Sequence, residues 1–317
     1  MKNDILIVLA AAVLSAVLCA AAIPLLRRVK AGQPILGYVK EHEQKSGTPT
    51  MGGVAFLLAA ALCAFFFGLY ADRHVVVAVS FGLASAAVGF LDDFLKLRYR
   101  RNLGLRSYQK IVFQIVLALI AGVYCYVSEL TRVNIPFSRL SVDFGIWIVP
   151  AVAFVFVATV NCVNLTDGLD GLAASVGFWY FAAFAALIAL AAGGAAPLSH
   201  LSLVLCGVLA GYLLFNTYRA SVFMGDTGSL GLGGFAVSVA ALSGNLLYIA
   251  VIGVLFVCSG ISVILQVIYY KKTGRRIFRM APLHHHFQEM GYSESKIVFA
   301  YSLVTAAAGL ICVYFAL

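Results

Sequence analysis

Apolar residues run along this chain in long blocks, without the strict alternation of a half-buried strand or the narrow stripe of a soluble amphipathic helix. A helix needs about 20 such residues to cross roughly 30 Å of hydrocarbon. Ten stretches meet or approach that length: residues 5–26, 51–70, 75–95, 111–130, 144–163, 171–192, 198–215, 228–242, 246–270 and 297–317. The eighth is the shortest. The connectors are too brief to enclose a second core, so the pattern predicts an all-α polytopic membrane protein of about ten transmembrane helices, with residues 1–317 forming one domain.

Charged residues make up 11% of the 317 positions and hydrophobic ones 62%, against roughly 25% charged in an ordinary soluble protein. A soluble enzyme is thereby excluded. The charges are also sorted by side. An even number of crossings puts both termini on one face, where only Lys2, Arg73, Arg132 and Arg139 are basic, and the remaining 18 of the 22 Lys and Arg fall on the other. The positive-inside rule makes that richer face cytoplasmic and leaves both termini outside. Acidic residues divide nine inside to four outside, so the whole net charge of +9 sits on the cytoplasmic face.

The first apolar run is preceded by Lys2 and followed by Arg27, Arg28 and Lys30, the polarity of a retained helix rather than a cleaved signal peptide. The seven cysteines all lie within apolar stretches, none in a C-x-x-C pair, and read as small core residues.

A carboxylate in hydrocarbon costs about 2.5 kcal/mol or more, so each acidic residue near a span needs a reason. Five lie at cytoplasmic span ends: Asp92, Asp93, Asp167, Asp170 and Asp226. Asp92 and Asp93 stand four and three residues before Lys96, where a helix-end salt bridge is the plain reading. Two adjacent carboxylates repel, however, and oppose the helix dipole at a C-terminal end. A bridging cation removes both objections, and oxygen-only ligands suit magnesium. Asp167 and Asp170 share one face if a helix starts there, with Asn164 or Thr166 as its cap and Gly168 and Gly171 marking a turn. Asp226-Thr227-Gly228 matches the aspartic-protease triplet but lies between two membrane helices and lacks the earlier glycine of an intramembrane protease, which disfavours proteolysis.

His284, His285 and His286 follow Pro282-Leu283 in a basic connector holding Lys271, Lys272, Arg275, Arg276 and Arg279. No zinc motif surrounds them, and imidazoles among so many cations suit phosphate better than a soft metal. A lipid-attracted surface loop would explain the lysines and arginines but not three consecutive histidines. Walker A, G-x-G-x-x-G and G-x-S-x-G sequences are absent, which removes support for ATP hydrolysis, dinucleotide redox chemistry and serine hydrolysis. Carboxylates able to hold magnesium, a histidine cluster and a basic surround fit transfer of a phosphoryl group from a diphosphate, with one lipid and one cytosolic partner.

At these residues the chain resembles the phospho-N-acetylmuramoyl-pentapeptide transferases, a branch of the polyprenyl-phosphate N-acetylhexosamine-1-phosphate transferases. The resemblance rests on Gly47-Thr48-Pro49-Thr50-Met51-Gly52-Gly53, Asp92-Asp93-x-x-Lys96, residues 161–171, residues 223–229 and Ala281-Pro282-Leu283-His284-His285-His286-Phe287, in family order over nearly the whole chain. Two stretches depart from the family pattern: Gly37-Tyr38-Val39-Lys40-Glu41-His42, and Phe287-Gln288-Glu289-Met290 in place of Phe-Glu-Leu.

The resemblance implies attack of undecaprenyl phosphate on the β-phosphate of UDP-N-acetylmuramoyl-pentapeptide, giving lipid I and UMP with Mg2+, in the bacterial plasma membrane during peptidoglycan synthesis. It implies Asp92 as base for the lipid phosphate, Asp93 supporting the metal and phosphate site, and Asp226 as metal ligand. It places Lys45, Thr50, Lys96, Lys110, His284, His285 and His286 at the phosphates and sugar, and Phe223, Asn161, Asp167, Asp170, Asn216 and Gln266 around the nucleotide. A homodimer and no nucleic-acid partner are expected. A sister transferase using UDP-N-acetylglucosamine is the near alternative. A transporter is the rival of another class, and it predicts ionisable residues at mid-span, where this chain has none on the cytoplasmic side.

Overall fold

The computed structural model describes residues 2–28, 47–99, 104–191 and 196–317. In chain order its α-helices are α1 (Lys2–Arg28), α2 (Gly53–Phe66), α3 (Arg73–Tyr99), α4 (Ser107–Val127), α5 (Ile148–Thr166), α6 (Leu172–Ala191), α7 (Pro197–Asn216), α8 (Gly225–Leu242), α9 (Tyr248–Ile252), α10 (Val254–Thr273), α11 (Leu283–Glu289) and α12 (Glu294–Ala316). Among the described residues, α1, α3, α4, α5, α6, α7, α10 and α12 are long and apolar enough to cross a membrane. The fold is all-α and polytopic. One small antiparallel hairpin, β1 (Arg132–Asn134) with β2 (Ser141–Asp143), pairs Val133 with Val142 in the connector between α4 and α5.

Three expected spans take a different form, of which 228–242 becomes α8, a helix not among those eight. The stretch 51–70 yields a helix of only 14 residues, because Gly68 turns into the left-handed region at φ 68° and a 3-10 turn, Leu69–Ala71, follows. The run 246–270 divides at Gly253 into the five-residue α9 and the longer α10, since glycine inside a helix removes side-chain packing and lets the backbone leave the helical path.

Helix α8 is the axis of the bundle. It lies along α3 and α5 and also touches α2 and α6, and every residue from Thr227 to Leu242 is buried. Glycines on the neighbouring helices permit this. A methyl group on Gly53 of α2 would overlap the Gly228 backbone, and one on Gly89 of α3 would overlap the Asp226 carbonyl, so these helices meet backbone to backbone. Around that axis α7 packs between α1 and α6, and α12 lies on α6. The outer helices expose apolar side chains, among them Val112, Val116 and Ile120 on α4 and Ile264 and Ile268 on α10, as a lipid-facing surface requires. All seven cysteines are unpaired, with Cys19, Cys63, Cys125, Cys206 and Cys312 buried, matching the reading of them as core residues.

Candidate active site

Two of the sequence motifs are zipped together through their backbones. Phe223 N–H donates to Pro49 O at 2.8 Å, Gly52 N–H to Phe223 O at 2.9 Å and Gly53 N–H to Met224 O at 3.0 Å. This pairing presses buried Thr50 against Gly225, which opens α8 at φ 72°. A side chain at Gly225 would lie 2.7 Å from Asp93 Oδ2 and 2.8 Å from Thr50 Oγ1, so only glycine fits the close approach.

Asp92 and Asp93 are fully buried near the end of α3, which continues to Tyr99 rather than stopping at residue 95. Lys96 Nζ lies 2.6 Å from Asp92 Oδ2 and 3.2 Å from Asp226 Oδ2. Lys110, from the first turn of α4, lies 3.0 Å from Asp92 Oδ2 and 2.5 Å from Asp226 Oδ2. The helix-end salt bridge is therefore real, but it is one edge of a network that joins three helices. Asp92 Oδ1 accepts the Leu105 amide at 2.7 Å. Asp93 stands further from the lysines, its Oδ1 4.0 Å from Lys96 Nζ: its Oδ2 accepts the Thr227 amide at 2.8 Å and hydroxyl at 2.7 Å, and its Oδ1 accepts the Asp226 amide at 3.2 Å. One oxygen from each of Asp92, Asp93 and Asp226 falls within 4.8 Å of the others. That is an all-oxygen donor set of the kind that holds a hard divalent cation such as magnesium.

Asn164 was legible in the sequence only as a possible cap, yet its Nδ2 donates to Asp226 Oδ1 at 3.1 Å and to Ser229 Oγ at 2.8 Å. The amide orients the Asp226 carboxylate from α5. The signal was available in retrospect, because Asn164 lies three residues before Asp167 in the same motif.

The turn between α5 and α6 carries Asp167, half-buried, whose carboxyl is pushed up to about 8 by desolvation first and then by repulsion from Asp226, Asp93 and Asp170. Asp170 is buried and its Oδ2 accepts the Ala220 amide at 3.0 Å. Asn216, buried at the end of α7, accepts the Gly171 amide at 3.1 Å and donates to Val222 O at 3.0 Å. These two side chains brace the segment leading to Phe223, which is itself half-buried.

Against the same turn stands α11. A methyl group on Gly168 would collide with His284 Nε2 and lie 3.1 Å from His285 Nε2. His284 is wholly buried with neither ring nitrogen hydrogen-bonded, and desolvation followed by repulsion from His285 lowers it to about 3. His285 Nδ1 contacts Gln288 Oε1 at 2.7 Å. His286 turns elsewhere, its Nδ1 accepting the Arg279 amide at 3.1 Å. Gln266 likewise braces the loop after α10, accepting the Ile277 and Phe278 amides and donating to Phe278 O. Asn161 donates to Gln114 Oε1 at 2.6 Å and to Val157 O at 2.7 Å, which engages it between α4 and α5. The structure thus gathers Asp92, Asp93, Lys96, Lys110 and Asp226 into one cluster and sets Gly168, next to Asp167 in the chain, against His284 and His285. The contacts of His286, Gln266, Asn161 and Asn216 just described are with other residues than that cluster. Lys45 and the atypical 37–42 stretch lie outside the described residues.

Paired lysines beside a three-carboxylate cluster can neutralise and align a diphosphate. The comparisons agree with this chemistry. Residues 74–245 match the family model described as Glycosyl transferase family 4, and residues 45–57 match phospho-N-acetylmuramoyl-pentapeptide-transferase signature 1. A phospho-N-acetylmuramoyl-pentapeptide-transferase of Caldanaerobacter subterraneus subsp. tengcongensis is 42% identical over 293 residues, covering 92% of each chain. Namesakes from Clostridium botulinum (strain Alaska E43) and Clostridioides difficile are 39% and 37% identical over 89% of this chain and 87% and 88% of theirs. Matching these relatives along nearly its full length, with their signature zipped onto the helix that bears Asp226, the chain belongs to the phospho-N-acetylmuramoyl-pentapeptide-transferase family.

Proposed function

We propose that this protein transfers phospho-N-acetylmuramoyl-pentapeptide from its UDP-linked donor to undecaprenyl phosphate, releasing UMP and forming lipid I for peptidoglycan synthesis, from one membrane domain whose site faces the cytoplasm. The observation that carries the reading is the Asp92–Lys96–Lys110–Asp226 network, built from three helices at one end of the bundle. An oxygen of the lipid phosphate forms a bond to the donor's β-phosphorus, and the bond from that phosphorus to the bridging oxygen breaks with UMP leaving. One phosphoanhydride replaces another, so the step needs no further energy source.

Asp226, with an oxygen of Asp93, would hold magnesium, which supplies neutralisation of the developing phosphate charge when bound. Each carboxylate oxygen has two lone pairs, so the hydrogen bonds that Asp93 accepts leave room for that contact. Lys96 and Lys110 receive the phosphates, and Asp92 holds both ammoniums at the right place. A phosphate monoester is already largely ionised near neutral pH, so the proton left for Asp92 to accept is a small part of the barrier. Thr50 and Phe223 form one wall, and the Asp167–Gly168 turn with His284 and His285 forms the side that meets the sugar and nucleotide.

The test offers purified protein polyprenyl phosphate and magnesium with either UDP-N-acetylmuramoyl-pentapeptide or UDP-N-acetylglucosamine and measures UMP. Release with the first donor is expected. Release only with the second would move the protein to the sister branch, and release with neither would return the transporter reading.

A further inference from the structure

Gln288 stands where the family pattern has glutamate, and its surroundings fix how its amide is turned. Its Nε2, which can only donate, lies 3.4 Å from Glu294 Oε1, which as a carboxylate can only accept. Its Oε1 is therefore the atom 2.7 Å from His285 Nδ1. An amide oxygen has no hydrogen to give, so the hydrogen of that contact belongs to Nδ1. The opposite turn of the amide would set two oxygens face to face at Glu294. Glu294 is itself fixed: it is buried, it starts α12, where the helix dipole favours a negative charge, and its Oε2 accepts the Asp170 amide at 3.3 Å. A chain of polar contacts thus runs from the Asp170 backbone through Glu294 and Gln288 to His285, and returns to the same turn, because His285 Nε2 faces Gly168.

We infer that Gln288 is a positioning residue that fixes the hydrogen of the neutral His285 ring on Nδ1, so that Nε2, on the side of Gly168, carries none. An Nε2 without hydrogen can only accept, so the neutral ring suits a hydroxyl of the donor's sugar or ribose and not an ionised phosphate oxygen, which is left to Lys96 and Lys110. This rests on the proposed part of His285 in binding the donor.

The experiment uses the full-length protein labelled with 15N at histidine, with His285 assigned by comparison with His285→Ala. The parent is expected to show His285 protonated at Nδ1, and Gln288→Leu to lose that preference. Gln288→Leu is also expected to lower kcat/KM about tenfold, in line with the loss of a partner that orients a functional imidazole, without lowering the melting temperature. The double variant with His285→Ala is expected to be no slower than His285→Ala alone. A parent His285 protonated at Nε2 would overturn the inference without recourse to any variant. An impaired His285→Ala beside a fully active Gln288→Leu would overturn it too. A fully active His285→Ala would instead remove the underlying role of His285.

Discussion

Thr227 donates twice to Asp93, from its amide at 2.8 Å and from its hydroxyl at 2.7 Å, although the two residues belong to different helices. Helix α8 has no capping side chain of its own at Met224. A carboxylate from α3 fills that place, satisfying the orphan amides of the first turn and holding Asp226 one residue away.

Thr227→Val removes one hydrogen bond to a buried charge, worth about 1.5–3 kcal/mol. Its kcat is expected to fall about tenfold or more, with Thr227→Ser close to the parent. Steady-state UMP release across magnesium concentrations checks this. Equal rates for Thr227→Val and the parent would show that the cap does not govern the position of Asp226.

Asp226→Asn is expected to lose magnesium-dependent turnover while still inserting and folding, because the amide keeps the shape of the carboxylate and one oxygen, enough for either Asn164 or the two lysines. Turnover and thermal melting, measured on one preparation, separate the two effects. Activity near that of the parent would exclude Asp226 as an essential ligand.

Gly53→Ala drives a methyl group into the Gly228 backbone, where no flexible side chain can yield. Overpacking of this kind costs about 1–3 kcal/mol. The melting temperature is expected to drop, and Gly68→Ala, which meets no neighbour, to act only through its positive φ. A Gly53→Ala protein as stable as the parent would mean that α2 and α8 stand further apart.

Acid should destabilise the fold through His284. Its imidazole titrates near 6.5 when unfolded and is lowered to about 3 in the fold. Above 6.5 both states are neutral and the group contributes nothing. Between 6.5 and 3 the unfolded chain binds the extra proton, so stability falls as pH falls, by at most about 1.4 kcal/mol per pH unit from this group. His284→Phe, which keeps the shape and removes two unpartnered nitrogens, is expected to raise the melting temperature more at pH 5 than at pH 8. An equal change at both would refute the depressed titration.

Much of this was written in the sequence. The apolar runs located all eight long helices, and the wish to keep carboxylates out of hydrocarbon pointed to Asp92, Asp93, Asp167, Asp170 and Asp226 together. The pairings between them were not legible. Residue spacing connected Asp92 to Lys96 within one helix, whereas Lys110, Asn164 and Thr227 reach the cluster from α4, α5 and α8, and such contacts depend on how helices dock rather than on any local period. The same limit hid the division at Gly253, since a single glycine inside an apolar run leaves hydropathy unchanged. Gln288 showed in the sequence only as a departure from the family pattern and Glu294 not at all, and their pairing emerged once α11 and α12 were seen folded against the Asp170 turn.

One consequence follows from the burial of α8. The helix that carries Asp226 belongs to a membrane protein without touching the membrane: its neighbours are protein on every side from Thr227 to Leu242. Changes in bilayer thickness or lipid composition act first on the lipid-facing helices such as α1, α4, α10 and α12, which can tilt to accommodate them. The helix bearing the Asp226 carboxylate is thereby insulated from the solvent in which the protein is dissolved, and under the proposed function the lipid that matters to it is the one that arrives as substrate.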